Sequence, residues 1–425
     1  MGDLSINIDS INLTKNEDIW SKSVRDNVLV SAYPLALWIA SSWWRLLYES
    51  LPHSRAKFLT DWRMSHELTA ANEGFIWPRL IFASDKEVMQ IWAPHQNVYT
   101  DNQSVRYLNH LNKPSFLKIY DFIHEIDSFI NSVLSRLNEM GLSGTDLQYL
   151  WQEINEEKND VNLFKYRRLE AELGFDAGEA PEDIVNQAIE LSKRIGDNTF
   201  SEIIPSYSRV DSDDENPLDA IDSLLQTPGI IGNPSKVQIE AQSTEQHLFP
   251  WQQAKSLANS LRRYLGVNDD HLIEDSLLYD LLGFAKQEIE AYSAPRGQTI
   301  TLANPIHDNN QLQFHIRKNH PLARRFELAR LIGDYLFYGN IEQNWLASTE
   351  TKTSRQKFQR AFAAEFLSPV SGLLSFVKSD FSETALEDVA GHFKVSERTV
   401  ETILINNRIL EPHQSSLNLE PTCPY

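Results

Sequence analysis

Charged side chains occur at helical spacing in two segments of the C-terminal third, residues 323–339 and 354–369. Arg330 and Asp334 are four residues apart, so a helix would place them on one face. Glu365 belongs to the second segment. An arginine and two carboxylates in this arrangement predict an ion cluster that bridges the two helices. The alternative is an exposed pair of Arg330 and Asp334, which would contribute about 0.2–0.5 kcal/mol.

The elements around these residues are predicted from their hydrophobic periodicity. Residues 250–265 form an amphipathic helix that begins near Pro250 and stops at Gly266. A second helix follows around residues 274–282. Short strands are predicted at 299–302 and 312–316, where apolar and polar residues alternate. The helices at 323–339 and 354–369 come next.

These elements, in this order, resemble the ImmA/IrrE family of metallopeptidases over residues 245–415. The resemblance rests on the run RFELA at 325–329, on Gly333, and on Ala363-Ala364-Glu365 with Leu367 and Pro369 after it. It implies a zincin-like domain of helices and a small sheet, with an HExxH helix and a third zinc ligand at Glu365. It also implies a bacterial protein that acts in the setting of helix-turn-helix repressors, toxin-antitoxin systems or mobile elements.

The motif itself is degenerate in this chain. In HExxH the two histidines bind zinc and the glutamate is the general base, but the histidine positions hold Arg330 and Asp334 and the base position holds Leu331. Arginine stays protonated and has no lone pair to offer a metal. Only Glu365 matches the family pattern. We therefore expect no zinc, no other cofactor and no catalysis, and Arg330, Asp334 and Glu365 become candidate residues of a binding groove.

Other residues do not restore a metal site. His307, His315 and His320 lie upstream without ligand spacing, and His315 is predicted on the polar face of its strand. His66-Glu67 is not part of an HExxH motif. The single cysteine, Cys423, excludes a disulfide framework and a multi-cysteine zinc site, and it indicates a reducing compartment.

The region 385–410 has the pattern of a helix-turn-helix, with Ser396 as the N-cap of the second helix. Arg398 is the candidate DNA contact, but Glu397 and Glu401 would oppose phosphate. We interpret this module as a structural part of the peptidase-like domain.

The N-terminal region is rich in tryptophan, because seven of the ten lie between Trp20 and Trp92. Core packing is the expected role, and an aromatic ligand cage is the alternative. Residues 75–82 and 88–92 predict a hairpin. The apolar stretch 28–47 is interrupted by Pro34 and Arg45 and predicts a buried segment rather than a membrane span.

The predicted architecture is α+β, mainly helical and multidomain. It comprises an aromatic-rich α/β domain at 1–112, a helical region at 113–204, a linker at 205–245, the ImmA/IrrE-like domain at 246–415 and a tail at 416–425.

The formal net charge of −20 disfavours nucleic acid or an anionic membrane as a partner. The first ten residues lack the pattern of a signal peptide, which predicts a cytoplasmic protein. The predicted function is non-catalytic regulation or sensing through a protein partner, such as a repressor, a toxin or a component of antiphage defence or stress response. One alternative is an active zinc endopeptidase with substitute ligands that cleaves a helix-turn-helix repressor. A second is a DNA-binding transcriptional regulator.

Overall fold

The structure is a computed structural model that describes residues 1–51, 60–95, 104–206, 217–234, 248–306, 311–339 and 345–411. The fold is α+β, as predicted, with many helices and small antiparallel sheets. The chain divides into two compact units, and the division falls between Ile189 and Glu190. Unit 1 precedes this point and unit 2 follows it.

Among its described residues, unit 1 contains ten short strands. They are β1 (Gly2–Leu4), β2 (Asn7–Ile8), β3 (Ile11–Asn12), β4 (Asn16–Asp18), β5 (Ser23–Arg25), β6 (Val28–Val30), β7 (Ile81–Ser84), β8 (Val88–Trp92), β9 (Val105–Tyr107) and β10 (Ser115–Lys118). The predicted hairpin is confirmed, since β7 and β8 pair antiparallel with Ile81 opposite Trp92. Its first strand is shorter than expected and begins at Ile81.

The helices of unit 1 surround an aromatic core. They are α1 (Ala32–Ser41), α2 (Trp43–Tyr48), α3 (Thr60–His66), α4 (Ile119–Glu139), α5 (Asp146–Asn159), α6 (Val161–Glu172) and the first half of α7 (Glu182–Ile195). Helices α1 and α2 are buried, which confirms the prediction for the stretch 28–47. Six of the seven N-terminal tryptophans are buried, whereas Trp20 is 80% exposed. In the described part of the chain, no helix is both long and apolar enough to span a membrane.

The core of unit 1 extends beyond the predicted region 1–112. Phe122 and Ile130 of α4 and Trp151 of α5 pack in the same cluster as four of the N-terminal tryptophans. The ring of Trp151 makes an edge contact with Trp43 at 5.2 Å between centroids. The helical region and the tryptophan-rich region therefore share one core.

The described part of unit 2 contains a four-stranded antiparallel sheet and ten further helices. The strands are β11 (Ile230–Gly232), β12 (Thr301–Pro305), β13 (Leu312–His315) and β14 (Leu346–Ser348), in the order β11-β13-β12-β14. The helices are α8 (Asp197–Ile203), α9 (Pro217–Gln226), α10 (Pro250–Tyr264), α11 (Asp275–Leu282), α12 (Lys286–Ala291), α13 (Pro321–Tyr338), α14 (Ser354–Leu367), α15 (Val370–Val377), α16 (Glu383–Phe393) and α17 (Glu397–Asn406). The segment predicted as a linker, 205–245, thus contains α9 and the edge strand β11.

Helices α13 and α14 pack closely against each other and beside β14. Their approach depends on Gly333, because a Cβ atom there would lie 2.5 Å from Cδ1 of Phe362. Phe362 stacks with Phe358 and Phe366 along α14. Helix α10 covers another side of α14. This arrangement brings the polar residues of α13, β14 and α14 together inside unit 2.

Candidate functional site

The residues predicted as a site lie on α13 and α14, and all of them are buried. Arg330 is 2% exposed, Asp334 is fully buried, and Glu365 is 7% exposed. Leu331, at the general-base position, belongs to the apolar core. None of these side chains can line an open groove in this conformation.

Arg330 is bound by groups on α13, α14 and the segment after β14. Its Nη1 donates to Oε2 of Glu327 at 3.3 Å, and its Nη2 donates to the carbonyl of Thr349 at 2.7 Å and to Oε1 of Gln356 at 2.6 Å. Burial lowers the pKa of Arg330, while the charge of Glu327 acts in the opposite direction. The partner of Arg330 is therefore a carboxylate one turn earlier on its own helix.

Glu327 joins two arginines inside unit 2. Its Oε1 accepts from Nε of Arg317 at 2.9 Å, and its Oε2 accepts from Arg330. Burial by itself would raise the pKa of Glu327, but the charges of Arg317 and Arg330 outweigh this effect and lower the pKa to about 2. The carboxylate is therefore ionised although it is buried.

Asp334 forms a separate pair with Arg355 on α14. Arg355 donates Nε to Oδ1 at 2.7 Å and Nη2 to Oδ2 at 2.8 Å, which is a bidentate geometry. Oδ2 also accepts the backbone N–H of Ala347 at 3.2 Å. Both sequence hypotheses for Arg330 and Asp334 are corrected here: they pair with other residues rather than with each other, and they are buried rather than exposed.

Glu365 does not join these pairs. Its carboxylate is hydrogen-bonded by Asn259 of α10 and by the backbone of Val370, and the charge of Lys255 reaches it. Burial raises the pKa of Glu365, while these three groups lower it. The predicted cluster of Arg330, Asp334 and Glu365 is wrong because Glu365 faces α10, about two helical turns beyond the residues of α14 that bind Arg330.

The same side chains cover the outer edge of the sheet. The edge strand β14 pairs with β12 on one side, with Ala347 opposite Leu302. On its other side, the carbonyl of Ala347 accepts from Gln356 Nε2 at 3.0 Å and from Gln359 Nε2 at 2.8 Å. The N–H of Thr349 donates to Oε1 of Gln356 at 2.9 Å. An edge strand normally leaves such groups free to pair with another chain, and here α14 binds them.

These residues do not fit a zinc ion. Arginine at position 330 offers no lone pair, and both oxygens of Asp334 are held by Arg355. Among the described residues, no group of three or more His, Cys, Asp or Glu is placed to hold a metal. The chemistry that this arrangement supports is internal charge pairing.

The upstream histidines are separate from this network. His315 is buried, so the face of the strand predicted as polar is covered at this position. Its ring nitrogens lie 3.2 Å from Oγ1 of Thr227, after α9, and 3.3 Å from Oδ1 of Asn304. Burial lowers the pKa of His315. His320 is exposed at the N-cap of α13, while His307 and Cys423 lie outside the described residues.

Unit 1 has a buried ion network of its own that sequence reasoning missed. Arg45 donates to Glu49 at 2.7 Å, and Glu49 is 3.0 Å from Nε2 of His66. The other ring nitrogen of His66 faces the carbonyl of Phe82 at 2.9 Å, and the ring stacks on Trp62. Arg45 and Glu49 are four residues apart at the end of an apolar stretch, and this spacing could have predicted a buried ion pair. His66 is fully enclosed, which indicates a structural role.

The two helices of the predicted helix-turn-helix are present as α16 and α17. Ser396 caps α17 by accepting the N–H of Thr399, which confirms the predicted N-cap. Arg398 is exposed, but Glu401 is only 2% exposed and does not face solvent. DNA binding by this module stays a prediction.

Comparisons with known proteins returned no match. No family model matches the chain. No curated protein and no solved structure matches it either.

Proposed function

We propose that this chain is a non-catalytic regulatory or sensing protein whose residues 246–415 form a degenerate ImmA/IrrE-like domain that binds a protein partner without cutting it. The observation that carries the proposal is the pairing of Arg330 with Glu327 and of Asp334 with Arg355. These ion pairs occupy the two positions where the family motif has zinc-binding histidines.

The chemistry of the site supports a loss of catalysis. Peptide hydrolysis by this class requires a zinc-bound water and a general base beside it. Leu331 cannot accept a proton, and it is buried in the core. The covered edge of β14 also leaves no free backbone groups at Ala347 for pairing with an extended substrate.

The resemblance supplies the type of partner. Its members act on helix-turn-helix repressors and accompany toxin-antitoxin, phage or mobile-element genes, so we propose a repressor, a toxin or a defence-system protein as the partner in the bacterial cytoplasm. The order of α13, β14 and α14 supports the resemblance to the ImmA/IrrE family from which this partner is proposed. Arg325, which belongs to the run on which the resemblance rests, supports it as well. It donates to Asp275 and to the carbonyl of Ile273, and these hydrogen bonds connect the first turns of α13 to the start of α11.

The test is binding combined with an integrity check on the partner. Each protein encoded beside this gene is purified and titrated into the full chain by calorimetry, and its intact mass is recorded before and after incubation. We expect one of them to bind with its mass unchanged. Shortening of the partner that stops with a chelator would establish the zinc endopeptidase instead. Salt-dependent binding of DNA that is lost in Arg398→Glu would establish the DNA regulator.

A further inference from the structure

A group of basic side chains lies where the segment after β14 enters α14. It consists of Lys352, Lys357 and Arg360, which we call the basic cluster. Thr353 is the N-cap of α14 and accepts the N–H of Gln356. Lys357 and Arg360 are three residues apart on α14 and so lie on one helix face, and Lys352 directly precedes the N-cap. The basic cluster therefore borders the N-terminal turns of α14 on one side.

Two members of the basic cluster have few partners in the protein. Arg360 donates Nη2 to the carbonyl of Thr351 at 2.7 Å. Within the described part of the chain, its remaining N–H groups meet no acceptor, and Lys352 has neither a hydrogen bond nor an ion pair. Both residues are half-buried, so their free donors can still be reached from solvent.

The nearby carboxylates are engaged by other groups. Glu350 accepts from Nη2 of Arg317 at 2.9 Å and from Nζ of Lys318 at 3.1 Å. Glu202 of α8 accepts from the hydroxyl of Thr353 at 2.5 Å and from Nε2 of Gln356 at 3.0 Å. The charges of these two carboxylates raise the pKa of Arg360, but neither carboxylate forms an ion pair with it.

The electrostatics indicate positive charge at Arg360 and Lys352 without a carboxylate in direct contact. Burial lowers the pKa of Arg360 to about 9, and repulsion by Arg330 and Arg317 adds to this effect. Burial also lowers the pKa of Lys352, as do the charges of Arg360 and Lys357. A partly buried cation that no anion contacts is costly, and this one occurs in a chain whose net charge is −20. An anion bound here would remove that cost.

We propose that Lys352 and Arg360 bind a phosphate group, either as inorganic phosphate or as the monoester of a small ligand. Two cations match the charge of a phosphate dianion, and arginine presents paired N–H groups that suit its oxygens. This inference does not depend on the proposed protein partner. A phosphate site would let the chain respond to a small molecule, whichever protein it binds.

The test is isothermal titration calorimetry of the full chain with inorganic phosphate and, separately, with adenosine monophosphate, at a fixed ionic strength set by sodium chloride. The variants are Lys352→Gln and Arg360→Met, and the matched control is Lys286→Gln on the exposed surface of α12. We expect each site variant to weaken phosphate binding about tenfold or more and the control to leave it unchanged. Tighter binding of inorganic phosphate would indicate free phosphate, whereas tighter binding of the nucleotide would indicate a phosphomonoester.

The folding of the variants provides a second readout. Because Lys352 has no hydrogen bond or ion pair within the described residues, Lys352→Gln should leave the thermal midpoint equal to wild type or higher. Arg360→Met removes the hydrogen bond to the carbonyl of Thr351 and should lower the midpoint slightly. Phosphate binding no stronger than that of chloride would overturn the proposal. So would undiminished phosphate binding in both site variants, or binding of an unphosphorylated acidic peptide that phosphate fails to displace.

Discussion

Glu327→Gln removes the one carboxylate shared by two buried arginines and leaves the shape of the side chain unchanged. Arg330 would then be buried without its carboxylate, and Arg317 would keep only Glu350. Breaking a buried pair of this kind costs about 3–5 kcal/mol. The pKa gives a consistent figure: a fall from 4.5 to about 2 on folding corresponds to roughly 3 kcal/mol of stability at neutral pH. We expect unit 2 to lose about this amount of its free energy of unfolding.

The same substitution should change the response to acid. The pKa of Glu327 is lower in the folded state than in the unfolded state, so its contribution is complete above pH 4.5 and is lost as the pH falls toward 2. Glutamine does not titrate. The difference in stability between wild type and Glu327→Gln should therefore shrink by roughly 1 kcal/mol between pH 7 and pH 3.5.

Hydrogen exchange of peptides from α13, followed in increasing urea at both pH values, measures the opening of this part of unit 2. Glu290→Gln is the matched control, because Glu290 is exposed beside Lys286 and its loss should change stability by less than about 0.5 kcal/mol. A loss below about 1 kcal/mol at pH 7 in Glu327→Gln, or a difference that does not vary with pH, would refute the reasoning.

Three further substitutions test the packing and the capping around this network. Gly333→Ala places a methyl group against the ring of Phe362, so we expect a loss of about 1–3 kcal/mol in urea unfolding, and unchanged stability would contradict the close approach of α13 and α14. Asp334→Asn leaves Arg355 without its charge partner and should cost about 3–5 kcal/mol, whereas the double variant with Arg355→Met should recover part of this loss. Ser396→Ala removes the cap of α17 and should cost about 1 kcal/mol, visible as faster hydrogen exchange in that helix alone.

Features set by local sequence were predicted well. Helix α10 begins at Pro250, and α17 begins after Ser396, because the signals for a helix start lie within a few residues of it. The hairpin of β7 and β8 depends on two adjacent runs and a polar turn. The N-terminal tryptophans were expected in the core because each buries a large area, and all of them except Trp20 are buried.

Features set by distant residues were not predicted. Alternation assigned His315 to a polar face, but Thr227, 88 residues earlier, contacts its ring from that side. Helical spacing correctly placed Arg330 and Asp334 on one helix, yet it cannot show that Arg355 reaches Asp334 with two hydrogen bonds. Which residues pair in this buried network depends on how α13 and α14 pack against each other. That packing is determined by residues throughout unit 2, so it cannot be read from the spacing within one helix.

The central proposal is that ion pairs stand where zinc ligands would be in a domain that resembles a metallopeptidase. Its most direct test is the zinc content of untagged protein, purified without a chelator and measured by elemental mass spectrometry. The account predicts well below one zinc per chain, and no gain when zinc is supplied during expression. A ratio near one that falls in Glu365→Gln or His315→Gln would contradict it and would establish a metal site built from other ligands.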